Sequence, residues 1–156
     1  MRVWVGVFLI ILSAVAFVAA AKQIEMPAFI NGSAQDRPSP YPRIGRDRIH
    51  LFPDRIVIDL VDAHWATFTD SNSMDPLFDE GHFAIQVTPK TEQDIHVGDI
   101  ISYSVAGTDG IIVHRVVAIG DDGEWYAIVR GDNNSLPDPG KVRFGQIKRV
   151  MAAIIY

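Results

Sequence analysis

Residues 111–130 read IIVHRVVAIGDDGEWYAIVR. Two apolar, β-branched runs, Ile111–Ile119 and Trp125–Arg130, flank Gly120-Asp-Asp-Gly123, whose glycines supply the positive φ values that a tight hairpin needs. The stretch reads as an antiparallel hairpin, and the residues around it repeat the pattern. Arg55–Val61, Phe83–Val87 and Asp99–Val105 precede it as strand candidates, with Gly107-Thr-Asp-Gly110 as a second hairpin-type connector. Val150–Ile155 closes the chain as another short apolar run. No amphipathic pattern of three helical turns occurs after Ala21. The reading is a mainly β domain over residues 48–156, with enough chain for one modest core.

The N-terminus is of a different kind. Val3–Ala21 (VWVGVFLIILSAVAFVAAA) carries no charge. As a helix rising about 1.5 Å per residue it would span roughly 28 Å, close to the thickness of a bilayer core. Arg2 and Lys22 flank it, and Trp4 sits near one end, where an amphipathic ring favours the interface. The competing reading is an export signal, because Ala19-Ala20-Ala21 fits a small-x-small cleavage pattern. The apolar run exceeds the about 7–15 residues of a usual signal core, which favours a transmembrane anchor or uncleaved signal over residues 1–21. Either reading places the remainder outside the cytoplasm. Residues 22–47 hold Pro27, Pro38, Pro40 and Pro42 and read as an extended linker.

Composition narrows the chemistry. The absence of cysteine excludes disulfides, thiolate metal sites and a cysteine nucleophile. No metal and no organic cofactor is called for. A formal net charge of −5, with no Lys/Arg-rich block, gives no footing for nucleic acid.

Residues 71–76 read SNSMDP and place Ser73 between polar residues and a Met-x-Pro sequence. A serine hydroxyl is a weak nucleophile until a base takes its proton, and histidine is the usual base. The candidates are His50, His64, His82, His96 and His114. His114 lies within the most apolar strand, where alternation sets it on the face opposite Val113 and Arg115. A histidine base needs an orienting carboxylate, and the loop Gly131–Gly140 supplies Asp132 and Asp138. Each element also has an ordinary reading. Ser73 suits a turn or a helix cap, His114 a strand histidine bonded to a backbone carbonyl, and the Asp/Asn/Pro/Gly segment a simple loop.

Taken together, these stretches resemble the signal peptidase I family in its archaeal and endoplasmic-reticulum branch. SNSMDP, VGDIISY at Val97–Tyr103, VHRVVAI at Val113–Ile119 and RGDNNSLPD at Arg130–Asp138 occur in the family's order. The resemblance implies a signal-peptidase-like β-fold catalytic domain preceded by one N-terminal transmembrane helix. It implies Ser73 as nucleophile, His114 as base where the bacterial branch uses lysine, and Asp138 as the carboxylate that orients the histidine. Asp132 is implied as a further important acid, and Ser71 as an oxyanion donor beside the Ser73 backbone N–H. Met74 reads as an adaptable apolar contact near the membrane or cleft, and Pro76 as a restraint on the backbone of Asp75. The implied activity is removal of signal peptides from exported precursors by cutting after small residues. The implied partners are secretory precursor proteins and the lipid bilayer, at a single-pass site in the cell membrane with the domain on the extracytoplasmic side.

Three features depart from the family pattern. Gly81-His82 stands where Gly-Asp is usual, so His82 reads as a turn residue or a second titratable group. A long stretch separates Ala21 from Ser73, and residues 48–70 read as room for an added strand or two. Gln146-Ile-Lys-Arg149 replaces a region that often holds glycine. Alternatives are a non-catalytic exported β-domain that binds a partner, or a divergent peptidase that processes other membrane proteins. A self-cleaving relative with a Ser–Lys dyad and a DNA-binding domain fits poorly, because the candidate base is histidine and the N-terminus is apolar. Processing of the chain's own Ala19-Ala20-Ala21 end is a further expectation.

Overall fold

The computed structural model describes residues 37–156 apart from Ala106 and Thr108. The apolar run Val3–Ala21, with its alanine-rich end, and residues 22–36 of the expected linker lie outside the described residues. Among the described residues the strands are β1 (Ile49–Leu51), β2 (Ile56–Ile58), β3 (Ala63–Thr67), β4 (Phe83–Val87), β5 (Ile100–Ser104), β6 (Ile111–Asp121), β7 (Trp125–Arg130), β8 (Val142–Arg143) and β9 (Ile147–Ile155). No helix among them is long and apolar enough to cross a membrane.

The hairpin read from residues 111–130 forms as β6–β7, with Asp121 opposite Trp125 and Arg115 opposite Arg130. Gly123 takes φ +103 in its turn, a conformation that β-branched or bulky residues avoid. β5 pairs antiparallel with β6 through the second glycine connector, with Ile101 opposite His114 and Tyr103 opposite Ile112. The main sheet has seven strands in the order β3-β4-β9-β5-β6-β7-β8, so the C-terminal strand β9 inserts between β4 and β5.

Alternation along β5 assigns the two faces. Ile101 and Tyr103 join Val116, Val129 and Val150 in one apolar cluster. Ile100 joins Met74, Phe78, Ala84 and Met151 in another. Neighbouring strand residues point to opposite sides, so the sheet is covered on both. Each fully buried aliphatic side chain, such as Ile100, Ile101 or Val150, contributes about 1.5–3 kcal/mol.

Two parts of the fold differ from the local pattern. Arg55–Val61 yields only Ile56–Ile58, paired with Ile49–Leu51 in a separate two-stranded sheet. The Asp59 N–H bonds the Arg48 carbonyl at 2.9 Å, and the chain then turns through Asp62 at φ +57, which ends the pairing. β3 carries two alanines and a histidine, with strand-favouring side chains only at Trp65 and Thr67. It forms because its whole length finds a partner in β4, from Ala63 opposite Val87 to Thr67 opposite Phe83.

The compact unit begins at Arg37, so the second half of the proline-rich stretch lies inside it. Residues 37–44 form a strap held by polar anchors. The Tyr41 N–H bonds Asp99 Oδ1 at 2.9 Å, and Arg43 Nη2 reaches Asp99 Oδ2 at 2.5 Å and the Asp94 carbonyl at 2.7 Å. The Tyr41 ring stacks on His96 with centroids 4.1 Å apart. Proline-rich backbone stays extended whether free or docked, and docking here is decided by the buried Asp99 carboxylate.

Gly98 shows how closely the strap lies. Its φ is +101, and a Cβ placed there would stand 2.2 Å from the Ser39 carbonyl oxygen. Gly98→Ala should therefore lower unfolding free energy by about 1–3 kcal/mol through backbone strain and displacement of the strap. Urea unfolding of the variant checks this, and an unchanged midpoint would contradict the docked strap.

Candidate active site

β7 pairs with β6 only from Arg115 onward, so the Ile111–His114 end of β6 has no β7 partner. At this open edge lies a cavity of about 370 Å³, lined by Ser71, Ser73, Met74, Phe78, Ile112 and His114 among others. Its wall is built from the end of β3 with Phe68 and Thr69, from the SNSMDP loop with Phe78 and Asp79, and from the open end of β6, while the loop that follows β7 reaches it only through His114.

The loop after β7 is folded back by the Asp138 N–H, which bonds the Val129 carbonyl at 2.9 Å. This brings Asp138 Oδ2 within 2.5 Å of His114 Nδ1. Both side chains are largely buried, at 9% and 15% exposure. An ionised carboxylate only accepts, so Nδ1 carries the proton and Nε2 is left to accept one. The Tyr103 hydroxyl also donates to Asp138 Oδ2. Burial first, and then the hydrogen bond and charge of Asp138, push the Tyr103 phenol above the usual tyrosine range.

Asp132 has a different partner. Its Oδ1 and Oδ2 accept a fork of bonds from Arg115 Nε and Nη2 at 2.8 and 2.6 Å, with both side chains buried. Arg115 Nη1 donates to the Gly98 carbonyl at 2.9 Å and the Pro38 carbonyl at 3.1 Å. The sequence left open which carboxylate orients the histidine. In the structure Asp138 makes that bond, and Asp132 makes none to His114. Asp132, grouped with the catalytic residues by resemblance, is the anchor of a buried ion pair because strand alternation turns Arg115 to the face opposite His114.

The SNSMDP loop is zipped to the Asp132 loop. Asn133 N–H bonds the Ser73 carbonyl at 2.9 Å, and Asn133 Nδ2 bonds the Asn72 carbonyl at 2.9 Å. The Asp132 N–H points to Met74 Sδ at 3.4 Å. A Cβ on Gly131 would stand 2.6 Å from the Ser73 carbonyl oxygen, so the approach requires glycine. Asn72 takes φ +58, and the Asp79 carboxylate receives the N–H groups of Ser71 at 3.2 Å and Asn72 at 3.5 Å. Met74 is 2% exposed, so it is a core residue that also walls the cavity, and the expectation of membrane contact fails on its burial. Pro76 follows a cis peptide bond.

Ser73 Oγ lies 3.2 Å from Ser71 Oγ, and no hydrogen bond joins it to His114, although both line the same cavity. Ser71 Oγ also receives the Ser73 N–H at 3.4 Å. The other histidines do not line this cavity. His50 pairs with Asp59 and His64 with Asp62, while His96 stacks on Tyr41. His82 Nδ1 accepts the Asp79 N–H at 3.0 Å within its own turn. No group of metal-ligating side chains occurs among the described residues.

Sequence reasoning missed Tyr103, Asn133 and the strap contact of Arg115. Tyr103 had a readable signal. It lies two residues beyond Ile101 on β5, and therefore on the face of the cross-strand partner His114.

No family model matches the chain. It is 37% identical over 78 residues to the signal peptidase complex catalytic subunit SEC11C of Homo sapiens, an alignment covering 49% of this chain and 40% of that protein. It is 36% identical over 73 residues to the SEC11 catalytic subunit of Plasmodium falciparum, covering 45% and 38%. The SEC11 subunit of Metarhizium acridum is 36% identical over 77 residues, covering 49% and 45%. The chain thus spans less than half the length of the curated relatives it matches, and in this region it resembles endoplasmic-reticulum-type signal peptidases.

Asp132→Asn should cost about 3–5 kcal/mol of unfolding free energy by leaving a buried guanidinium uncompensated. Asp138→Asn should cost markedly less, since its side chain keeps 15% exposure and its partners are an imidazole and a phenol, not a buried guanidinium. Urea unfolding of the two variants side by side checks the division, and equal losses would contradict it.

Proposed function

We propose, from that likeness and this geometry, that the chain is a membrane-anchored serine endopeptidase that removes signal peptides from exported precursors. The observation that carries the reading is the meeting of Ser73 and His114 on one cavity, with Asp138 on the far nitrogen of the imidazole. Ser73 Oγ attacks the scissile carbonyl while His114 Nε2 takes its proton. His114 then gives that proton to the leaving amine, and water repeats the cycle on the acyl-enzyme. Asp138 holds the tautomer and stabilises the imidazolium. The Ser73 N–H and the Ser71 hydroxyl, which bond each other at 3.4 Å before substrate binds, are the donors this mechanism assigns to the oxyanion, and a single such donor is worth about 10²–10³ in rate.

The open edge of β6 supports a peptide substrate. An extended chain laid along Ile111–Val113 adds a strand to the sheet and brings its carbonyl toward Ser73. Productive contact requires the Ser73 hydroxyl to leave Ser71, and catalytic hydrogen bonds often tighten only when substrate is bound. Substrates are secretory precursors cut after small residues. The chain sits in the cell membrane through Val3–Ala21 with its β domain on the extracytoplasmic side. Tethering concentrates the enzyme where signal sequences lie. No cofactor enters this mechanism.

A non-catalytic binding module is the second reading, and the Ser73–Ser71 bond in place of a Ser73–His114 bond favours it. One experiment separates the two. Full-length protein in proteoliposomes, given a secretory precursor, should release the mature form. Ser73→Ala and His114→Ala should each reduce cleavage by about 10³-fold or more, and Asp138→Asn by about 10²–10⁴-fold. Unchanged cleavage by Ser73→Ala would overturn the peptidase reading.

A further inference from the structure

Asp138 Oδ2 accepts two bonds at once, from His114 Nδ1 and from the hydroxyl of Tyr103. Tyr103 is 2% exposed and packed among Ile101, Val116 and Val150, so its ring cannot swing away. Its phenol holds its proton throughout the neutral range, because burial and the neighbouring carboxylate both oppose ionisation. It is therefore a permanent donor. β5 registers Ile101 opposite His114 and Tyr103 opposite Ile112, which sets hydroxyl and imidazole side by side on one face.

We infer that Tyr103 is a positioning residue of the catalytic apparatus, a buried phenol that locks the Asp138 carboxylate and moderates its pull on the His114 imidazolium. This rests on the peptidase reading of Ser73, His114 and Asp138. A carboxylate with a second donor on the same oxygen has less charge to spend on the imidazolium. The base then gives up its proton more readily to the leaving amine. The second donor also removes the carboxylate's freedom to turn, which fixes the direction of the imidazole.

Arg115 lies on the opposite face with Asp132 as its partner, and Arg130 stands opposite Arg115 in the register and points the same way. Asp79, on the cavity wall, is engaged by the N–H groups of Ser71 and Asn72. Tyr103 is the neighbour from β5 and Asp138 the one from the loop after β7.

Tyr103→Phe keeps the packing and removes only the hydroxyl. Full-length variant and wild type are compared in proteoliposomes across pH, alongside Ser73→Ala. Without the phenol the carboxylate binds the imidazolium more tightly, so the acid limb of kcat/KM should move up by about 0.5–1 pH unit. Cleavage should fall several-fold near neutrality and recover at higher pH, a pattern that loss of packing does not produce. The low-field proton of the His114–Asp138 bond, seen by NMR in the isotopically labelled protein, should move in the variant and vanish in Asp138→Asn. An unmoved limb and an unmoved proton signal, in an enzyme that Ser73→Ala inactivates, would overturn the assignment of Tyr103. Cleavage that survives Ser73→Ala would instead overturn the peptidase reading, and the catalytic role of Tyr103 with it.

Discussion

The buried guanidinium of Arg115 is the constraint on which the rest of the site depends. A charge taken out of water must be met by fixed partners, and Arg115 finds them in Asp132, the Gly98 carbonyl and the Pro38 carbonyl. These partners tie together β6, the loop after β7, the turn before β5 and the N-terminal strap. The consequences extend to Ser73. With Asp132 held, its own N–H meets Met74 Sδ and the next N–H, that of Asn133, meets the Ser73 carbonyl. The position of Ser73 is thus set from a pair of charges that makes no hydrogen bond to its side chain.

Adjacency on one strand makes this possible without interference. His114 and Arg115 are neighbours in the chain, yet the pleat sends them to opposite faces. The cation that organises the loops is kept from the carboxylate that orients the imidazole. Two aspartates in one short loop then take separate tasks. Asp132 neutralises the structural cation, and Asp138, returned to β7 by its backbone bond to Val129, serves the histidine. Exchanging these partners would require β6 to shift register by one residue, which would also reverse its apolar face.

Much of the fold was legible locally. The runs at residues 83–87 and 125–130 became strands with those bounds, because alternation and flanking turn residues are short-range signals. β3 was not legible, since residues such as Ala63 and His64 become a strand only through pairing with β4. The seven residues Arg55–Val61 looked more like a strand than they are, because propensity cannot supply a missing partner. At the site, Ser73, His114 and Asp138 were readable as chemical types in family-like contexts. Tyr103 was hidden by its resemblance to an ordinary core aromatic, and residues 37–44 by the fact that prolines look the same docked or free.

By itself the sequence determined those strands and hairpins that carry strong alternation and turn signals, which groups can act as nucleophile, base and acid, and that thiol chemistry is absent. Those properties follow from periodicity, turn chemistry and composition, each of which acts within a few residues. Only the tertiary structure decided which aspartate meets the histidine, that a buried phenol shares that aspartate, and that the strap is part of the domain. Such choices depend on sheet order and register between distant segments. A hydrogen bond is won or lost over less than an ångström, and no local pattern encodes distance on that scale.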